Sequence, residues 1–304
     1  MPAVEQQQAA EQPVEEETVP TAMEDYLFDL RGYLIVREAL SPAELADMNR
    51  TIDAHADMGP DEWRGWVHNR SNAGSDASGH TYLHNLFECG PRWEQLIDHP
   101  RWIKHMHRYC GGPPGGTPGQ GLYLDENFVI VTHPPEGERR GGATMLHSGA
   151  HKRRVRTQFR YHDGEFRCGQ LSLIVALTPV GPGDGPTIVV PGSHKSNLAH
   201  PALTSEEVAK DRSAELVEAG IEVHLNAGDA VFFVDCMLHG SARRTNPGER
   251  RVFVTRYGPS DFRDRYGYEP SPELLNRLTP LQRSMLAPTQ PLLPPHVAPR
   301  TSKL

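Results

Sequence analysis

From residue 121 onward the apolar positions fall in short runs, at 122–131, 168–177, 187–190, 221–225, 230–234 and 251–257. These runs are β-branched or alternate with polar residues, and Gly, Pro and Asp clusters separate them, among them Asp163-Gly164, Gly183-Asp184-Gly185 and Ala227-Gly228-Asp229. Side chains alternate faces along a strand, so the pattern predicts several short strands in a β-sandwich or jelly roll. The first 110 residues read differently. Gly32-Tyr33-Leu34-Ile35-Val36 predicts a strand. Ser41-Pro42 with Glu44 predicts an N-cap, a proline at the first helical position and a capping box, for a helix reaching about residue 56. A second helical stretch is expected over 93–109, broken at Pro100 and stopped by Gly111-Gly112. Helices precede strands with no βαβ alternation, which disfavours a doubly wound nucleotide-binding sheet. The expected fold is mainly β with N-terminal helices, as one domain over residues 25–290.

Composition and charge change the picture mainly at the ends. The net charge of −8 lies in residues 1–30, which hold eight acidic side chains and neither Lys nor Arg, leaving 31 acidic and 31 basic groups in the remainder. Residues 1–24, rich in Glu, Gln, Ala and Pro, are expected to be a disordered acidic leader, because they cannot bury enough surface to offset ordering. Residues 291–304 open with Pro291-Leu292-Leu293-Pro294-Pro295 and are expected to be an exposed tail. Apolar residues and glycine together make up about 46 %, enough for an ordinary core. No run reaches the ~18 apolar residues of a membrane span, and a secretory signal is not expected at the N-terminus. Cys89, Cys110, Cys168 and Cys236 contain no CxxC pair, which points to reduced thiols in a reducing compartment. A neutral body without rows of aromatic residues also argues against nucleic-acid binding.

Two of the sixteen histidines stand out by context. His239 follows the apolar run 230–234 in His239-Gly240-Ser241, with Arg250-Arg251 opening the next strand, and His147 lies in Met145-Leu146-His147-Ser148-Gly149. Between them come Asp184-Gly185-Pro186 and Pro191-Gly192-Ser193-His194-Lys195. With the Gly32 strand, the Ser41-Pro42 helix and Gly228-Asp229, this set resembles the phytanoyl-CoA dioxygenase family over about residues 25–260. The resemblance implies a double-stranded β-helix (jelly roll, cupin-like) and an Fe(II)/2-oxoglutarate-dependent dioxygenase. It implies His147 and His239 as iron ligands, with Arg250, eleven residues after His239, binding the 2-oxoglutarate carboxylate beside Ser241. A guanidinium suits that role because it pairs with a carboxylate in bidentate fashion. Arg251 is the alternative, but it has the opposite strand parity, so only one of the two faces the barrel interior.

The family pattern is His-x-Asp, whereas here it is His147-Ser148-Gly149, without the carboxylate. Three readings stay open. The third iron position is relocated to another carboxylate or filled by water; it is vacant and takes chloride, as in the related halogenases; or the chain is an inactive, cupin-like binding protein. Asp235 shares parity with His239, yet four strand residues span roughly 13 Å, so it reaches the same metal only if the strand bends.

The segment 139–162 carries Arg139, Arg140, Lys152, Arg153, Arg154, Arg156 and Arg160 and no acidic residue. It would steer an anionic substrate, such as an acyl-CoA or a small carboxylate, toward His147. Trp63, Trp66 and the Ser/Gly/His-rich stretch 71–80 point to a lid over the site. The final Ser302-Lys303-Leu304 reads as a peroxisomal address for an import receptor in a eukaryote; otherwise a cytoplasmic location is expected.

Overall fold

Two capping boxes open the first two helices among the described residues. In helix α1 (Ala22–Arg31) Thr21 and Glu24 cap each other's backbone N–H, and in α2 (Pro42–Asp53) Ser41 and Glu44 do the same. Gly32 ends α1 at φ 81°, and a β-carbon there would collide with the His194 ring, so only glycine fits. The computed structural model describes residues 19–70, 79–111, 121–134, 146–152, 154, 158–204, 217–260 and 270–286. Most of the acidic leader, residues 71–78, Arg139, Arg140, Arg153, Arg156 and the C-terminal tripeptide lie outside the described residues.

The strands are β1 (Tyr33–Val36), β2 (Trp63–Arg64), β3 (Val67–Asn69), β4 (His80–His84), β5 (Leu122–Thr132), β6 (Tyr161–His162), β7 (Glu165–Phe166), β8 (Leu171–Ala176), β9 (Thr187–Val189), β10 (Ile221–Val223), β11 (Ala230–Val234), β12 (His239–Ser241) and β13 (Arg250–Pro259). They form a large antiparallel sheet in the order β1-β11-β8-β13-β5-β4-β3-β2 and a small one in the order β10-β9-β12. The non-sequential order, with late strands between early ones, is the crossover pattern of a jelly roll. The short β6–β7 hairpin turns on Asp163 (φ 54°) and Gly164 (φ 81°), the positive angles that an Asp-Gly pair tolerates.

Alternation along β13 divides the molecule. Phe253 and Tyr257 face outward onto the helices. Phe253 packs against Phe87 and Trp93, and the Tyr257 hydroxyl accepts from Trp102 Nε1 at 3.1 Å and donates to the backbone carbonyls of Leu96 and Ile97. Helices α3 (Pro91–Glu94) and α4 (Pro100–Tyr109) therefore cover one face of the large sheet, and the expected break at Pro100 is where α4 begins. The opposite face of β13 looks toward the small sheet.

The described part of residues 60–90 departs from the expected lid. β2, β3 and β4 extend the large sheet beyond β5, with Leu83 opposite Val129 and Tyr82 opposite Ile130. The long β5 offers a second edge, and backbone pairing recruits a segment whose own sequence pattern is weak. No described helix is long and apolar enough to cross a membrane. The four cysteines form no disulfide.

Buried neutral histidines make the fold acid-sensitive. His194 donates from Nε2 to the Asp29 carbonyl at 3.0 Å, and burial pushes its pKa down to about 4; burial lowers His99 to about 4 as well. The unfolded chain takes up these protons near pH 6.5, whereas the folded chain resists until about 4. The stability they contribute is complete above pH 6.5 and is lost as pH falls toward 4. At pH 5 each should cost about 2 kcal/mol relative to pH 7.5. Urea unfolding at the two pH values should show this fall, with a shallower dependence in His194→Gln. An identical dependence in wild type and variant would refute the assignment.

Candidate active site

The strand register maps the cavity between the sheets. On the large sheet, inward residues form successive rows roughly 6.6 Å apart. The first holds His80, Thr132 and Arg250; the second Tyr82, Ile130 and Val252; the third His84, Phe128, Val254 and Ile174; the fourth Glu126, Arg256 and Ser172. The small sheet contributes Thr187, His239 and Ser241, joined by His147. Apart from His80 and Thr132, these groups line an open-mouthed cavity of about 230 Å³.

His147 and His239 are brought together by backbone pairing. They form an antiparallel bridge in which each N–H donates to the other's carbonyl, at 2.9 and 3.2 Å, and their ring centroids lie 4.1 Å apart. His239 Nδ1 is 2.7 Å from the Met237 carbonyl, which can only accept, so Nδ1 carries the proton and Nε2 presents a lone pair. Two adjacent imidazoles in a cavity wall, one with its tautomer set, suit a divalent transition metal.

Arg250 is 4 % exposed, and its Nη2 approaches the Thr187 hydroxyl at 3.5 Å. Its Nε is buried without a hydrogen-bond partner, and among the described residues no carboxylate pairs with it. Burial lowers its pKa to about 10, which still leaves it charged at neutral pH. A desolvated cation with no carboxylate in contact is costly, the charge of Asp184 compensating it only in part, and a bound carboxylate would relieve it. Ser241 is the register partner of Thr187 and lines the same end of the cavity. Arg251 points the other way, into ion pairs with Glu249 and Asp53. Strand parity thus selects Arg250 as the inward residue.

The structure does not bring Asp235 to the histidine pair. The chain turns after β11, with the Met237 N–H donating to Val234 O, so the shared parity with His239 does not extend through the turn. Asp235 is buried there, its N–H donating to Gln170 O and its carbonyl accepting from Ser148 Oγ, and it does not line the cavity. Among the described residues no group of three His, Cys, Asp or Glu side chains is placed to hold a metal.

Gly149, two residues after His147, sits at φ 113° with the His151 ring 2.6 Å from the position of an added β-carbon. Gly149→Asp would force both a strained backbone and displacement of that ring, and should lower stability by about 1–3 kcal/mol. A thermal midpoint equal to wild type would refute this.

Several cavity residues were not singled out from sequence: Arg70, Tyr82, Glu126, Ser172, Thr187 and Arg256. The signal for two of them was present. Arg256 shares parity with Arg250, and Glu126 alternates in step with Phe128 and Ile130.

A family model described as Phytanoyl-CoA dioxygenase (PhyH) matches residues 28–252. The dioxygenase cdmD of Talaromyces verruculosus is 28 % identical over 191 residues, covering 60 % of this chain and 54 % of that protein, so the match spans about half of that relative. Among solved structures, HygX from Streptomyces hygroscopicus with nickel and 2-oxoglutarate bound has a TM-score of 0.61 at 20 % identity, over 81 % of this chain and 89 % of that one. The carbocyclase SnoK from nogalamycin biosynthesis has a TM-score of 0.55 at 18 % identity, over 90 % and 94 %. These likenesses establish the shared jelly-roll fold. With the family match extending across both cavity histidines and Arg250, the chain belongs to the phytanoyl-CoA dioxygenase family.

Proposed function

We infer that this protein is an Fe(II)/2-oxoglutarate-dependent oxygenase that oxidises a small-molecule or acyl substrate, most readily an anionic one. The observation that carries the reading is Arg250, a buried guanidinium with an unpartnered Nε at the end of a cavity whose wall holds two adjacent histidines. His147 and His239 would hold the iron, and Arg250 with Ser241 and Thr187 would hold the far carboxylate of 2-oxoglutarate. Bound iron and 2-oxoglutarate supply the oxidising chemistry, with O₂ consumed and succinate and CO₂ formed. The chain's own residues do the rest. The Met237 carbonyl fixes the His239 tautomer, and the Arg250 charge orients an anion without moving a proton. Phe128, Ile130, Ile174, Phe233, Val252 and Val254 exclude water between the charged ends. Hydroxylation is the simplest outcome; the carbocyclase SnoK shares the fold, so the fold does not select it.

A second reading rests on Gly149. With no side chain at that position, chloride would complete the iron's surroundings and the product would be a haloalkane. Anaerobic addition of Fe(II) and 2-oxoglutarate should produce a weak visible charge-transfer band. Its absence in the wild type would overturn the oxygenase reading. A spectrum that changes when chloride is removed would favour the halide reading, and an unchanged spectrum would exclude it.

A further inference from the structure

Both cavity histidines sit beside tight bends of the chain, and one side chain ties those bends together. The His147–His239 bridge fixes the two backbones at one point, through two hydrogen bonds. A single bridge leaves the segments free to pivot about it, and a pivot at the backbone is magnified at the ring nitrogens. Metal binding needs those nitrogens held to within a few tenths of an ångström.

Ser148 supplies a second point. Its Oγ donates to the backbone carbonyl of Asp235, in the turn between β11 and β12. That turn is a firm anchor. The Asp235 N–H donates to Gln170 O at 2.9 Å, the Met237 N–H to Val234 O at 2.8 Å and the Leu238 N–H to Ser193 Oγ at 2.9 Å, while the Leu238 carbonyl accepts from the Val190 N–H at 3.0 Å. The same turn presents the Met237 carbonyl that sets the His239 tautomer. One serine thus joins the residue after His147 to the turn that orients His239.

The backbone shows what this contact demands. Ser148 has φ 73°, in the left-handed region that residues other than glycine seldom occupy, and Gly149 follows at φ 113°. Two successive positive angles bend the chain immediately after His147. A serine there costs free energy that glycine would not, and such strain persists only where surrounding contacts enforce it. Ser148 is 7 % exposed and is not among the residues that line the cavity. It therefore acts through the histidines.

We propose that Ser148 is a positioning residue for the metal site: its hydroxyl locks the His147 segment to the 235–238 turn and so sets the separation and angle of the two imidazoles. Gly149 brings no carboxylate to add a further hold from this segment, so the geometry of the pair depends on the protein's own clamp. The proposal rests on the assignment of both histidines to a metal.

The test uses the full chain and titrates Fe(II) with 2-oxoglutarate, and separately Co(II) alone, under argon. The visible spectrum of Co(II) reports ligand geometry without requiring 2-oxoglutarate. Ser148→Ala removes the hydroxyl and keeps a β-carbon at the strained angle. Ser148→Gly removes the hydroxyl and relieves the angle, so its thermal midpoint should stay close to wild type. Both should bind either metal roughly 10- to 100-fold more weakly, the usual effect of losing a group that holds a metal ligand in place, and should show an altered cobalt spectrum. Ser148→Cys keeps a weaker donor and should recover part of the affinity. A role in folding alone gives a different split, in which Ser148→Gly, as stable as wild type, binds metal as wild type does. That result, wild-type affinity and spectrum in Ser148→Ala, or weaker binding only in variants that have also lost thermal stability would overturn the clamp. Ser148-dependent Co(II) binding with no charge-transfer band from Fe(II) and 2-oxoglutarate would overturn the oxygenase reading alone. A wild-type protein that binds neither metal would overturn both.

Discussion

Arg250→Gln should weaken 2-oxoglutarate binding by two to three orders of magnitude. The wild-type cation is already stripped of water and has no carboxylate partner in the protein. An incoming carboxylate therefore meets a donor whose desolvation was completed on folding, and removing that donor leaves a buried anion unpaired. Breaking a buried charge pair in this way costs about 3–5 kcal/mol, and each 1.4 kcal/mol is a factor of ten in affinity. Calorimetric or spectroscopic titration of 2-oxoglutarate under argon reads the effect, and a change of less than threefold would refute the role. The same substitution should leave the thermal midpoint of the ligand-free protein unchanged or raised, since it removes a buried charge with no carboxylate in contact. Arg251→Gln is the matched control. It breaks ion pairs with Glu249 and Asp53 at the protein surface, which are worth ~1 kcal/mol or less, and should not alter 2-oxoglutarate binding.

His239→Ala should abolish iron retention and the charge-transfer band altogether. Two imidazoles are the only cavity-lining histidines the structure sets side by side among the described residues, so losing one leaves a single nitrogen ligand. The fold should survive. β12 is held by backbone bonds to β9 and to His147, and those persist whatever the side chain. Circular dichroism should match wild type, metal analysis should find no stoichiometric iron, and added imidazole, which fits the space vacated, should restore part of the band. A full band in His239→Ala without imidazole would remove His239 from the metal site.

Much of this architecture is local, and local features were readable. The Ser41-Pro42-Glu44 capping box, the break at Pro100 and the Asp163-Gly164 turn each depend on residues within a few positions of one another, and each occurs as expected. The inward-facing choice between Arg250 and Arg251 could be narrowed to one of two by alternation alone. The strands β2 to β4 were not legible, because they are short and polar and exist only because β5 offers an edge to pair with. The seeming fit of Asp235 to the histidines came from extending strand parity through residues that turn instead. The pairing of Glu126 with Arg256 joins residues far apart in the chain, which no spacing argument connects.

By itself, the sequence determined strands β1, β5, β8 to β11 and β13, helix α2 and the start of α4, and the alternation of faces along those strands, since period-two alternation and capping are properties of neighbours. It also placed Gly149, which carries no carboxylate, two residues after His147. Only the tertiary structure decided what those faces meet. Backbone pairing between β12 and the His147 segment sets two imidazoles side by side. The stacking of β8, β13 and β5 places Arg250 at one end of a cavity and Arg256, Glu126 and Ser172 at the other. The reason is physical: burial and counter-charge depend on strand order, and strand order arises from long-range pairing that no local pattern encodes.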